Sequence, residues 1–180
     1  LGEVLKTRRE YLITKDNCGV KNKSFLDYKK LIQRRRMSEP IAYITKKKEF
    51  LSKTFFVKKG VLIPRPETEL LIERLISKYK NVNTNLSILD IGTGSGCIIL
   101  SLLSEIKKTR GVGIDISKKA LEIAKINAKN LKLLKKIQFI HCDLVHLNQK
   151  KYDLIVSNPP YIPRHKINTL SKDIKDFEPK

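Results

Sequence analysis

Residues 87–116 read SILDIGTGSGCIILSLLSEIKKTRGVGIDI, and this stretch decides the fold. A short apolar run, Ser87 to Ile91, leads into Gly92, Gly94 and Gly96. An apolar run of helical length, Cys97 to Lys107, comes next, then a second short run, Gly111 to Ile116. That is strand, turn, helix, strand. The unit recurs downstream. Ser117 is placed to cap a helix with Leu121, Ala124, Ala128 and Leu131 on one face, and Ile137 to His141 and Asp153 to Ser157 supply two more strands. Such alternation predicts an α/β fold whose parallel sheet has right-handed crossovers and binds ligands at the carboxyl ends of its strands.

Upstream the pattern differs. From Ser24 the run SFLDYKKLIQRRR sets Phe25, Tyr28, Leu31 and Ile32 at helical spacing, with Ser24 and Asp27 as an N-cap pair and Pro40 as a stop. Glu49 to Ile63 predicts a hairpin, Glu49 to Val57 against Val61 to Ile63, turning at Lys58-Lys59-Gly60. Pro66 suits a first helical position, with Glu67 and Glu69 in the electropositive first turn and Leu70, Leu71 and Leu75 facing inward. Asn81 to Asn85 is the best linker.

The chain has 180 residues and a formal charge of +20, which invites a polyanionic partner. However, 29 of the 38 basic residues are Lys and they are spread along the whole chain, as in a compositional drift. Arg34-Arg35-Arg36 reads first as a charged helix end favouring the dipole. Direct nucleic-acid binding is permitted but not required. Ile98 to Leu103 is too short to cross a bilayer and no charged-then-apolar leader opens the chain, so no membrane is expected. Cys18, Cys97 and Cys142 form neither a disulfide framework nor a metal knuckle and read as core fillers, which points to a reduced, cytoplasmic compartment. His141, His146 and His165 lack ligand spacing, so no metal is expected. Leu1 is not an initiator methionine, and Lys180 follows Phe177-Glu178-Pro179 without a closing element; a fragment is expected.

The chemistry gathers at the strand ends. Asp90-Ile91-Gly92-Thr93-Gly94-Ser95-Gly96 is GxGxG rather than GxGxxG, and no Gly-Lys-Ser/Thr follows, which disfavours a triphosphate cradle. Asp115 ends the second strand 23 residues after Gly92, where a carboxylate accepts from both hydroxyls of a ribose. Asp143 ends the third strand and can accept from an adenine amino group, with Leu144 over the ring; an aspartate there reads equally well as a cap. Asn158-Pro159-Pro160-Tyr161 follows the fourth strand, its prolines stiffening the turn and supplying carbonyls without competing N–H donors. The Asn158 side-chain oxygen and the Pro159 carbonyl can each accept one proton of a planar NH2 group, with Tyr161 against its face. That arrangement suits methyl transfer to nitrogen by orientation rather than by a strong base.

Asp90 to Gly96, Asp115 and Asn158 to Tyr161 together resemble class I S-adenosylmethionine-dependent methyltransferases that modify planar nitrogens. The runs Arg34 to Ile44 and Leu62 to Glu69 narrow the resemblance to the peptide chain release factor N5-glutamine methyltransferase family (HemK/PrmC type), over nearly the whole chain. The resemblance implies a Rossmann-like sheet whose first four strands run 3-2-1-4, preceded by a small helical domain and a β-hairpin. It implies three units: 1–46, the remainder of a helical substrate-recognition domain; 47–85, the hairpin, a helix and the linker; and 86–180, a truncated S-adenosylmethionine-binding domain. The implied reaction methylates the glutamine amide of the Gly-Gly-Gln motif in class I release factors. Gly92, Thr93, Gly94, Ser95, Gly96, Asp115, Asp143, Leu144 and Asn158 would hold the donor. Asn158, Pro159, Pro160 and Tyr161 would hold the glutamine, with Asn158, Pro159 and Tyr161 catalytic. The alternative is a nucleic-acid methyltransferase acting on an adenine or guanine amino group. Strands beyond the fourth would be absent, leaving an open edge and weak or no activity in the isolated piece.

Overall fold

The computed structural model describes residues 1–15, 17–147, 150–159 and 169–179. Four strands, β3 (Leu86–Ile91), β4 (Thr109–Asp115), β5 (Ile137–His141) and β6 (Leu154–Ser157), pair in parallel in the order β5-β4-β3-β6. This is the expected 3-2-1-4 sheet. β3 lies inside the sheet, and its apolar residues Leu86, Ile88, Leu89 and Ile91 fall on both faces, as in a strand covered on both sides. α6 (Cys97–Glu105) is buried all round, Ile98 through Leu103 without a break, so it is held by its surroundings rather than by an amphipathic stripe. A Cβ added at Gly111 would lie 2.7 Å from Ile99 Cδ1, so that glycine is what lets α6 sit against β4.

α7 (Lys118–Asn130) begins as expected, the Ala120 N–H donating to Ser117 Oγ at 3.3 Å. Leu121, Ala124 and Ala128 are buried and Leu131 is partly so.

The hairpin departs from expectation. Its strands are β1 (Lys47–Phe50) and β2 (Lys53–Phe56), turning at Leu51 and Ser52 rather than at Gly60. Both turn residues have positive φ, 47° and 58°, the pattern of a two-residue primed turn. Asn-Gly is the usual signal for that turn, and Leu-Ser conceals it. Val57, Val61 and Ile63 are buried without forming a strand. β2 joins two cores. Phe55 packs with Phe50, Ile72, Ile88 and the α6 side chains, whereas Phe56 borders Tyr43, Val57, Val61, Ile63 and Ile123.

α5 (Pro66–Tyr79) starts at Pro66 as expected, but Ile72, Leu75, Ile76 and Tyr79 face the core while Leu70 and Leu71 are exposed. The 3.6-residue period through Ile72 and Ile76 selects that face. Ahead of the hairpin lie α1 (Gly2–Leu5), α2 (Arg9–Thr14), α3 (Asn22–Arg36) and α4 (Ile41–Thr45). α3 starts two residues before the expected cap, and neither Ser24 nor Asp27 caps it. Met37 and Ser38, the latter at φ 64°, end it ahead of Pro40. Arg34 closes a bidentate pair on Glu39 and Arg35 donates to the Glu39 carbonyl at 3.2 Å, so two of the three arginines have internal partners. Cys18 is exposed and is no core filler. Among the described residues no helix is long and apolar enough to cross a membrane.

Candidate active site

Strand register brings the site together. Ile91 is level with Ile114 on one side and with Ser157 on the other. The next residues, Gly92, Asp115 and Asn158, therefore share one row at the carboxyl edge of the sheet. With strands about 4.8 Å apart, Asp115 and Asn158 flank the glycine turn across about 10 Å. His141 is level with Asp115, which sets Asp143 two residues beyond the same row.

The turn is built from backbone. Gly92, Gly94 and Gly96 all have positive φ, of 69°, 56° and 78°. Their surroundings differ. A Cβ at Gly92 would meet nothing within 4 Å, and one at Gly94 only a carbonyl at 3.9 Å; both face open space. At Gly96 it would lie 3.0 Å from Leu100 and 3.3 Å from Ala124, so this glycine serves the packing of α6 against α7. Thr93 and Ser95 are buried. The Thr93 hydroxyl donates to Asp90 Oδ2 at 2.7 Å, and its N–H donates to the Ile114 carbonyl at 2.9 Å, tying the turn to β4. The buried Thr93 side chain thus braces the turn from beneath.

Asp115 braces the same turn. Its Oδ2 accepts from the Gly94 N–H at 2.9 Å and its Oδ1 from the Ser117 N–H at 2.8 Å. A carboxylate oxygen has two lone pairs, so both retain capacity for a ligand hydroxyl. Asp143 precedes a single 3-10 turn (Leu144–His146) but makes no side-chain cap bond, which removes the capping alternative for its carboxylate. Ile116, 74% exposed, and Leu144, 50% exposed, are apolar side chains left open beside the two aspartates.

Asp90 is fully buried under the turn, and burial pushes its carboxyl up to about 7 against the opposing pull of the Thr93 hydroxyl. Its Oδ1 has no partner among the described residues. Burial likewise raises the Cys97 thiol to about 12, so it remains protonated.

On the other flank, Asn158 is half-buried and its Nδ2 donates to Thr68 Oγ1 of α5 at 3.4 Å. Pro159 is exposed. Pro160 and Tyr161 lie outside the described residues.

Two features were not anticipated from sequence. Asn127 is buried on α7. It donates to the Ser95 carbonyl at 2.8 Å and the Phe56 carbonyl at 3.0 Å, and accepts from the Phe56 N–H at 2.7 Å. One side chain thus joins α7, the glycine turn and β2. Its signal was present: a polar residue between Ala124 and Ala128 on an otherwise apolar helix face. The second is the pair between Arg65, the residue before α5, and the buried Glu178, at 2.7 and 2.8 Å. Nothing in the local sequence joins residues so far apart.

A 3-2-1-4 parallel sheet with this glycine turn and an acidic end on the neighbouring strand is the Rossmann-like architecture of class I methyltransferases. The chain belongs to the methyltransferase small domain family, whose model matches residues 65–174, and residues 1–45 match the PrmC N-terminal domain. It is 44% identical over 179 residues to a release factor glutamine methyltransferase of Buchnera aphidicola from Acyrthosiphon pisum, covering 99% of this chain and 63% of that protein. A Clostridium acetobutylicum protein of the same name is 40% identical over 182 residues, covering 99% and 64%. The chain therefore spans a little under two thirds of these relatives. A solved SAM-dependent methyltransferase from Agrobacterium tumefaciens shares the fold at a TM-score of 0.56 and 23% identity, over 66% of this chain and 40% of that one.

Proposed function

We propose that the protein of which this chain is a part transfers a methyl group from S-adenosylmethionine to the side-chain amide of a release-factor glutamine, in the cytoplasm. The observation that carries the reading is the row of Gly92, Asp115 and Asn158, a cofactor cradle and an amide-binding corner side by side. The names of the relatives supply the substrate. The particular target is the Gly-Gly-Gln glutamine of class I factors, and residues 1–46 serve its recognition.

The cradle fits the donor on its own geometry: a side chain at Gly92 or Gly94 would fill the open space that the ligand takes. Asp115 receives the ribose hydroxyls, and Asp143 with Leu144 receives the adenine. When bound, the donor supplies an electrophilic methyl group on a sulfonium. The chain's own contribution is orientation. Asn158 Oδ1 and the Pro159 carbonyl accept the two protons of the glutamine NH2, which aims the nitrogen and favours the charge it gains as amide conjugation is lost. Tyr161 is assigned to the planar face. Thr93, Ser95 and Gly96 shape the turn from behind.

The test incubates the full-length enzyme with S-adenosylmethionine and, separately, a class I release factor and ribosomal RNA. Mass spectrometry is expected to place one methyl group on the Gly-Gly-Gln glutamine and none on the RNA. Methylated RNA with unmodified release factor would transfer the assignment to the nucleic-acid alternative, which the charge of +20 also suits.

A further inference from the structure

We infer that Thr68 is the positioning residue that sets the polarity of the Asn158 amide, so that its oxygen and not its NH2 meets the substrate. The inference rests on the reading above, in which Asn158 accepts a proton from a planar nitrogen. An asparagine amide turns about a soft, roughly two-fold torsion, and its two orientations are close in shape. Their chemistry is opposite. With Oδ1 forward the side chain accepts from the glutamine NH2; with Nδ2 forward, two donors face each other and the substrate is repelled. Some neighbour must therefore choose between them.

Thr68 Oγ1 is the acceptor found on Nδ2, at 3.4 Å, and among the described residues nothing donates to Oδ1. A hydroxyl can donate as well as accept. Here the hydroxyl oxygen accepts from Asn158, and the branched Cβ limits the directions that oxygen can take. Its lone pair is then what Asn158 meets. Helix initiation does not explain a threonine here. Pro66, Glu67 and Glu69 already supply the fixed torsion and the first-turn charges, and threonine is a modest helix former.

The position of Thr68 is itself fixed. Its N–H donates to the Arg65 carbonyl at 3.1 Å, and Arg65 is held by both oxygens of Glu178, whose side chain is 2% exposed. Immediately upstream, Ile63 and Pro64 are buried. The start of α5 is thus locked on two sides. Asn158 and Glu178, either side of the substrate corner in sequence, both register against it. A hydroxyl on a rigid turn can orient a side chain to the tolerance that methyl transfer needs, which a hydroxyl on a loose loop cannot.

The experiment compares full-length wild type, Thr68→Val and Thr68→Ser for donor dissociation constant, kcat on release factor and melting temperature. Valine keeps the shape and removes the hydroxyl; serine keeps the hydroxyl. Thr68→Val is expected to bind S-adenosylmethionine within about twofold of wild type, to melt within a few degrees of it, and to lose about tenfold or more in kcat. Thr68→Ser is expected to recover most of that loss. Wild-type kcat in Thr68→Val, or a loss that Thr68→Ser shares in full, overturns the inference while leaving the methyltransferase reading intact. A loss of kcat matched by equal losses of donor affinity and melting temperature assigns Thr68 a packing role and also overturns it. A wild-type enzyme that binds donor yet methylates no glutamine overturns the functional reading, and the inference with it.

Discussion

The sheet and the helices that precede it are built on different terms. In the sheet, α6 contributes six consecutive buried residues and β3 presents apolar side chains to both faces. In the leading helices, α1 and α3 have no buried residue, and Phe25, Leu26 and Ile32 of the fifteen-residue α3 are exposed. Burial of apolar area is the main favourable term in folding, so stability resides in the sheet unit and its hairpin, not in the amino-terminal helices. The row of Gly92, Asp115 and Asn158 inherits that rigidity because its members follow directly from strand ends.

The comparison can be broken at its strongest point. Leu102→Ala removes a side chain with no exposed surface from the core that α6 shares with Phe50, Phe55 and Ile88, and is expected to cost about 3 kcal/mol in urea unfolding. A cost below about 1 kcal/mol would mean that the core does not carry the fold. Next in size, Asn127→Ala leaves the Phe56 N–H and the Ser95 and Phe56 carbonyls without their partner, at about 2 kcal/mol. It should also weaken donor binding, since the glycine turn loses a brace; urea unfolding reads the loss of stability and titration calorimetry the loss of affinity.

A third prediction concerns pH. Asp90 is raised from 3.8 unfolded to about 7 folded, so between these values the native state binds more protons than the unfolded state. Stability must then fall as pH rises through that window, by at most about 1.4 kcal/mol per pH unit. Asp90→Asn is expected to abolish this part of the slope, read as the difference between variant and wild-type unfolding curves at pH 5 and pH 7. Parallel pH dependence in the two proteins would contradict a protonated, buried Asp90. The smallest effect is expected in the other region: Phe25→Ala should change stability by less than about 0.5 kcal/mol, because the residue is already 52% exposed.

Periodicity made the sheet legible. Its four strands, their parallel pairing and the Ser117 cap follow from local pattern plus the handedness of crossovers, whereas the strand order 3-2-1-4 came from the family resemblance. Asp115 and the glycines were legible for the same reason, since strand ends define where ligands bind. The hairpin was not, because Leu51-Ser52 adopts a left-handed turn without the residues that advertise one, and the glycine at 60 drew the reading away. Leu70 and Leu71 misled because, of the three leucines, only Leu75 lies on the face that packs with Ile72 and Ile76. Asn127, Thr68 and the Arg65–Glu178 pair join residues that only the folded chain brings together, and no spacing rule reaches them.

The central claim is that Asn158, although counted from sequence among the donor-binding residues as well, acts chiefly by orienting the acceptor nitrogen and contributes little to donor affinity. It is tested by measuring S-adenosylmethionine affinity and glutamine methylation together in full-length wild type and Asn158→Ala. The account predicts donor binding within a few-fold of wild type and turnover reduced about 100-fold or more. Equal methylation by both proteins would contradict it.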